Sequence, residues 1–180
     1  LSSAASDVYK RQRVYRFISQ LFLMKIDITN YSETEKVASA LNLYIQSTNK
    51  PQIFYLSGDL GSGKTTLVRE ILKSMGWKGA VKSPTFSILE EYEINERNIF
   101  HADLYRLNNE NDFNMLGLEL NENSNDIFFI EWPDRISKLG FGSEFFFELS
   151  VNKNTRSITM ESDEPSFSSC IDRINIDNPI

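Results

Sequence analysis

Cysteine is almost absent from this chain: among 180 residues there is one, Cys170. A lone thiol closes no intramolecular disulfide, so no disulfide partner is expected and a reducing, cytoplasmic setting is implied. Cys170 itself reads as a small, partly buried residue near the tail. Histidine is equally scarce, with His101 alone, and no cluster at metal-ligand spacing accompanies it. A single histidine of this kind is more often structural than catalytic. Positive charge is short as well: 19 Lys and Arg face 25 Asp and Glu, for a net charge of −6 and a pI of about 4.9. Bulk electrostatics therefore oppose a direct grip on a phosphate backbone, which leaves a nucleic acid only as the distant substrate of a partner. No run has the apolar length of a membrane span. What is present, 41% hydrophobic and 12% aromatic, suits one well-packed soluble domain.

The chain opens on "LSSAASDVYKRQRVYRFISQLFLMK", basic and without an initial Met. A secretory signal needs a longer unbroken apolar core, and Gln20 interrupts this one. A transit peptide would fit the Ser- and Arg-bearing, acid-poor composition. The preferred expectation is a leader foreign to the domain over residues 1–23, since "SSAASDVYKRQ" resembles a translated sequencing-adapter string, with Met24 as the start. Setting that leader aside removes Lys10, Arg11, Arg13 and Arg16 against Asp7 and leaves the remainder at −9.

Residues 24–162 then read as one domain, with 163–180 a tail of unknown role. Ile26 and Ile28 alternate as in a short strand. Ser32-x-x-Glu35 has the form of a capping box ahead of Val37, Ala38, Leu41 and Ile45 at helical spacing. "QIFYLS" is a strand-length apolar run entering a glycine loop, and "KTTLVREILKSMG" continues as an amphipathic helix with Gly76 as its C-cap. "TFSILEEYEI" and "IFHADLY" flank Asn95–Asn98 as a hairpin, which requires antiparallel pairing in the sheet. A short helix is expected around Phe113–Leu118, a buried strand in "DIFFIEW", another short helix in "PDRISKLG", and a closing strand pair in "EFFFELSV" and "RSITMES". Phe145–Phe147 read as core. Beyond Glu161 the pattern fades.

The chemistry concentrates in Gly58-Asp59-Leu60-Gly61-Ser62-Gly63-Lys64-Thr65, a full match to Gly-x-x-x-x-Gly-Lys-[Ser/Thr]. Glycines let the backbone turn successive N–H groups of Asp59, Leu60, Gly61, Ser62 and Gly63 onto an anion, and the following helix adds its positive end. Lys64 can reach the β- and γ-phosphates, and the Thr65 hydroxyl can ligate Mg²⁺. A strand before the loop and an amphipathic helix after it argue against a chance Gly-rich turn. The fold class is therefore α/β: a single P-loop NTPase domain whose mixed, partly antiparallel sheet is flanked by helices. Such a site needs a further acid. "DIFFIE" delivers Glu131 to the C-terminal edge of the sheet as the second metal ligand, and Asp103 follows another apolar run. Each also has a bland reading, as a solvent-facing strand end or a turn cap. No Asn-Lys-x-Asp element follows the loop, so ATP is favoured over GTP.

"GDLGSGKTT", "VKSPTFSILEEY", "HADLYRL" and "IEWPDR" together resemble, in order and approximate spacing, the TsaE (formerly YjeE) family. The resemblance covers about Ile26 to Val151. It implies a bacterial P-loop ATPase required for threonylcarbamoyladenosine modification of tRNA. Such a protein would be weak alone and stimulated on a TsaB–TsaD pair, with tRNA met only through that complex. At matched positions it implies phosphate and Mg²⁺ binding by Lys64 and Thr65 with Thr66 alongside, and γ-phosphate sensing by Thr85. It also implies functional roles for Asp103 and Glu131, while Trp132 packs near the nucleotide or serves the core. The mechanism that follows is in-line attack of water, oriented or activated by Asp103. Arg106 either stabilises transferred charge or pairs with an acid. Two rivals stand beside this reading: a small-molecule kinase, against which the scattered arginines and lack of a lid argue, and a nucleotide-gated interaction protein without turnover.

Overall fold

The computed structural model describes residues 22–118 and 120–176. Most of the leader expected over 1–23 lies outside the described residues; Phe22 and Leu23 open the first strand. In chain order the elements are β1 (Phe22–Asp27), α1 (Tyr31–Gln46), β2 (Gln52–Ser57), α2 (Lys64–Ser74), β3 (Leu89–Ile94), β4 (Arg97–Asp103), α3 (Glu110–Asn114), β5 (Ile127–Glu131), β6 (Ser143–Asn152), β7 (Thr155–Ser162) and α4 (Pro165–Ile176). The strands form one seven-stranded sheet in the order β1-β7-β6-β2-β5-β4-β3. β2 runs parallel to β5 and β6, and β4 parallel to β5, whereas β3–β4, β6–β7 and β1–β7 are antiparallel.

Composition explains that layout. The β5 run "IFFIE" is buried throughout and "QIFYLS" nearly so, as central parallel strands covered on both faces require. β6 alternates instead, with Phe145, Phe147 and Leu149 buried between Glu144, Phe146 and Glu148. On one face Phe54 stacks between Phe129 and Phe145, at 5.2 and 4.7 Å between ring centroids, beneath α1 and α2. On the other, Tyr55, Phe128 and Ile130 pack with Leu104, Leu107, Phe113 and Phe141. The expected core role of Phe145–Phe147 holds, with Phe146 stacked on Tyr55 across the opposite face. The β3–β4 hairpin turns on Asn95 and Glu96, both left-handed (φ 53° and 62°), which is the two-residue turn that matches strand twist.

Three local expectations are corrected. Ser32 and Glu35 form no capping box; α1 starts at Tyr31 after Asn30, which is extended and gives no side-chain cap bond. The cause lies upstream. Ile28 N–H donates to the Arg156 carbonyl (2.9 Å) and Arg156 N–H to Thr29 Oγ1 (2.9 Å), so the chain is pinned to β7 and turns into the helix early. "PDRISKLG" shrinks to a single tight turn at Pro133–Arg135, closed off by the left-handed Trp132 before it and extended Ile136 after it. The tail beyond Glu161 is not patternless: α4 lays Phe167 and Ile171, both fully buried, onto the helical face of the sheet. Gly76 does terminate α2. It is left-handed (φ 105°), its N–H meets the Lys73 carbonyl, and the Trp77 N–H meets that of Leu72.

Burial also sets an alkaline limit on the fold. It pushes the Tyr44 phenol up to about 12, with the Ser166 side chain pulling slightly the other way, and raises Tyr55 further still. A folded-state value above the unfolded one, near 10, means the stabilisation is intact below that pH and is lost as pH climbs. Thermal melts across this window are expected to show a steep fall in unfolding temperature above pH ~10. Tyr44→Phe should lessen it, with Tyr55 keeping the rest; an unchanged slope in that variant would contradict the assignment.

Candidate nucleotide-binding site

The C-terminal ends of β2, β4 and β5 meet at one edge, and each delivers part of the site. β2 hands the chain to the glycine loop, and α2 begins at Lys64 after the left-handed Gly63 (φ 110°). Gly58 is fixed by space as well as by its φ of 129°: a Cβ there would sit 2.2 Å from the Leu149 carbonyl oxygen on β6. Lys64 is buried and folds back over the loop, donating to the Gly58 and Asp59 carbonyls at 2.7 and 3.1 Å. Its ammonium also lies 4.2 Å from the centre of the Trp132 ring. Burial holds the Lys64 ammonium below the usual lysine value, while Glu131, Asp103 and Asp59 pull it back up. Ser62 Oγ is buried within the same turn without a partner among the described residues. A lysine bent onto its own loop and an unsatisfied hydroxyl in the cradle fit a site built for an anion.

Asp103 and Glu131 are Cα neighbours in the β4–β5 pair, so both carboxylates emerge on the same face in one row. Glu131 Oε1 accepts from Thr65 Oγ1 at 2.8 Å and contacts His101 Nε2 at 2.9 Å. Asp103 caps a turn, as one of the two sequence readings has it, and its second oxygen meets Thr85. Its Oδ1 caps the following turn through Tyr105 N–H (3.1 Å), while Oδ2 accepts from Thr85 Oγ1 (2.9 Å). Thr85 shares a 2.7 Å contact with Ser83 Oγ. The segment carrying Thr85 is closed by Ile88, whose N–H meets the Pro84 carbonyl and whose own carbonyl accepts from Asp103 N–H. Ile88 has a φ of 67°, a conformation costing a β-branched residue about 1–2 kcal/mol. Trp132 is likewise left-handed (φ 58°) and packs at 5.0 Å against Tyr105.

Lys64, Thr65, Thr85, Asp103, Glu131 and Trp132 thus come together as a connected group. Asp59, Leu60 and Gly61 lie along the loop; the Leu60 side chain is 85% exposed, so only its backbone can serve a phosphate. Thr66 faces elsewhere. With Ser62 and Gly63 it lines a pocket whose other walls are Ile28, Thr29, Tyr31, Thr34 and Arg156. Sequence reasoning missed those walls because the β1–α1 segment and β7 reach the loop only through the sheet order. Among the described residues Arg106 pairs with no acid; its guanidinium lies 4.6 Å from the Phe86 ring centre. Among the described residues no three His, Cys, Asp or Glu side chains gather to hold a metal. The hard oxygens of Thr65 and Glu131 instead suit a cation that takes most of its ligands from phosphates and water. No helix among the described residues is long and apolar enough to cross a membrane.

A phosphate cradle between a central strand and a helix, with acids at the ends of neighbouring parallel strands, places the molecule among the P-loop nucleotide-binding proteins. YdiB of Bacillus subtilis shares this fold, with a TM-score of 0.62 at 19% identity over 88% of this chain and 98% of that one. The chain belongs to the TsaE family: residues 28–160 match the family described as threonylcarbamoyl adenosine biosynthesis protein TsaE. Among its relatives, the tRNA threonylcarbamoyladenosine biosynthesis protein TsaE of Rickettsia felis is 38% identical over 77% of this chain and 81% of its own length. The protein of the same name from Haemophilus influenzae is 44% identical over 49% of this chain, a match spanning 56% of that relative's length.

Proposed function

We propose that this chain binds and hydrolyses ATP with Mg²⁺ in the cytoplasm, in support of tRNA threonylcarbamoyladenosine biosynthesis. It acts with homologues of TsaB and TsaD and meets tRNA only through them. The observation that carries the reading is the Thr65–Glu131 contact beside the buried Lys64. A hydroxyl, a carboxylate and an ammonium converge at the glycine loop. The names of the relatives support the pathway.

Within this reading the loop amides and Lys64 hold the β- and γ-phosphates, Lys64 exchanging its Gly58 and Asp59 carbonyls for phosphate oxygens. Thr65 and Glu131 hold the metal, which when bound offsets the charge that gathers on the phosphate oxygens. Asp103 Oδ2, now bonded to Thr85, is the acceptor that orients a water for in-line attack once Thr85 turns to the γ-phosphate. The pocket beside Thr66 takes the nucleoside, between Tyr31 and Arg156.

A multiple-turnover tRNA modification assay with the transferase partners tests the proposal. Product is expected to exceed one equivalent per transferase complex only when both this chain and ATP are present, with inorganic phosphate released. Equal yield without the chain would refute the role. A phosphorylated small product would favour a kinase, and full function of Asp103→Asn and Glu131→Gln would favour a gated binder without turnover.

A further inference from the structure

The lone histidine is fully buried on β4, two residues before Asp103 and on the same face of the strand. Across the sheet it faces Phe129 on β5 and Glu90 on β3, with Ile99 two residues before it on its own strand. Nδ1 finds no partner there among the described residues. An aliphatic or phenyl side chain would fill such a space without stranding a polar atom, so packing alone does not account for an imidazole. The ring's other nitrogen does: Nε2 lies 2.9 Å from Glu131 Oε1. A carboxylate only accepts, so Nε2 carries the proton of this bond whatever the state of Nδ1. Thr65 donates to the same oxygen, and its hydroxyl can keep that bond while a lone pair faces a metal. His101, fully buried, is the second donor, which fixes Oε1 from within the sheet and leaves Oε2 to the cation.

From this geometry we infer that His101 is a positioning residue for Glu131, the donor that presets the carboxylate for its metal. The inference rests on the role proposed above for Glu131. His101 is fully buried behind Glu131, so its removal acts on metal affinity and leaves the phosphate cradle intact.

The test is calorimetric titration of Mg²⁺ into the full chain saturated with ADP, beside titration of ADP in EDTA. His101→Phe is expected to weaken Mg²⁺ about 10- to 100-fold with metal-free ADP affinity kept within about twofold, and His101→Gln, which retains an N–H donor, to recover most of the loss. Unchanged Mg²⁺ affinity in His101→Phe, or an equal loss of metal-free ADP affinity, would overturn the inference. Glu131→Gln separates the two levels: if it leaves Mg²⁺ affinity untouched, the metal role of Glu131 fails rather than that of His101 alone. A second measurement needs no variant. With one histidine in the chain, ¹⁵N spectra are expected to show a protonated Nε2 whose shift moves on adding Mg²⁺ to the ADP complex and not on adding ADP alone. An unprotonated Nε2, or a shift indifferent to Mg²⁺, would refute it even where His101→Phe fails to fold.

Discussion

Replacing Lys64 with alanine is expected to lower ATP turnover about 10²- to 10³-fold, the loss typical when one preorganised donor to a developing charge is removed. The same change should move folding stability by less than about 1 kcal/mol, because large terms oppose one another. The ammonium makes two hydrogen bonds to loop carbonyls, each worth about 1.5–3 kcal/mol for a charged donor. Its contact with the Trp132 face adds roughly 0.5–2 kcal/mol. Against these stands the desolvation of a buried cation, several kcal/mol, visible in its lowered proton affinity. Without nucleotide, Lys64 therefore sits near balance, and phosphate contacts tip it. Phosphate release and thermal unfolding measured on the same variant separate the two quantities. A stability loss of several kcal/mol with turnover preserved would show that Lys64 is a brace for the loop and nothing more.

Phe167→Ala should produce the reverse pattern. Its ring is fully buried and meets Phe22, Tyr44, Phe145 and Phe147 at centroid distances of 5.8, 5.2, 4.8 and 6.1 Å. Emptying such a site costs about 3–5 kcal/mol, transfer and cavity together. At roughly 2–4 °C per kcal/mol for a domain of this size, the unfolding midpoint should drop by about 6–20 °C. Phe167 contributes no atom to the loop or to the paired acids, so nucleotide affinity below the new midpoint should change less than about threefold. Differential scanning calorimetry with and without nucleotide reads both effects. A drop under about 1 kcal/mol would mean that α4 is a loosely held appendage.

Phe167 also marks where the sequence stops being legible. Phe167, Cys170, Ile171 and Ile174 stand at helical spacing in α4, but serines interrupt the run and disguise it. Phe167 and Ile171 are held because α1 and the aromatic layer are in place to receive them, and those partners lie far off in the sequence. The glycine loop and both acids were readable for the opposite reason. Each follows an apolar run of strand length, so local order alone puts them at the ends of strands. The parallel register that sets Asp103 opposite Glu131 converts those separate signals into one site. His101 was visible as a residue but not as a partner of Glu131, since the bond crosses from one strand to the next. Thr29 and Arg156 are further apart still, and their pairing depends on β7 lying beside β1. The mistaken capping box at Ser32 has the same origin: a contact with β7 outweighs a local preference.

That edge pairing governs how the chain assembles. Phe22 sits opposite Ser162, so the first of the described strands closes on the last. Loop closure over such a separation is entropically slow and follows the local pairings of β3 with β4 and β6 with β7. During synthesis the phosphate loop, its helix and both acids emerge well before β7. The wall that Arg156 gives to the pocket beside Thr66 exists only once that strand has been made and docked. If that pocket takes the nucleoside as proposed, a nascent chain possesses the phosphate-gripping sequence long before it possesses a place for the rest of the nucleotide.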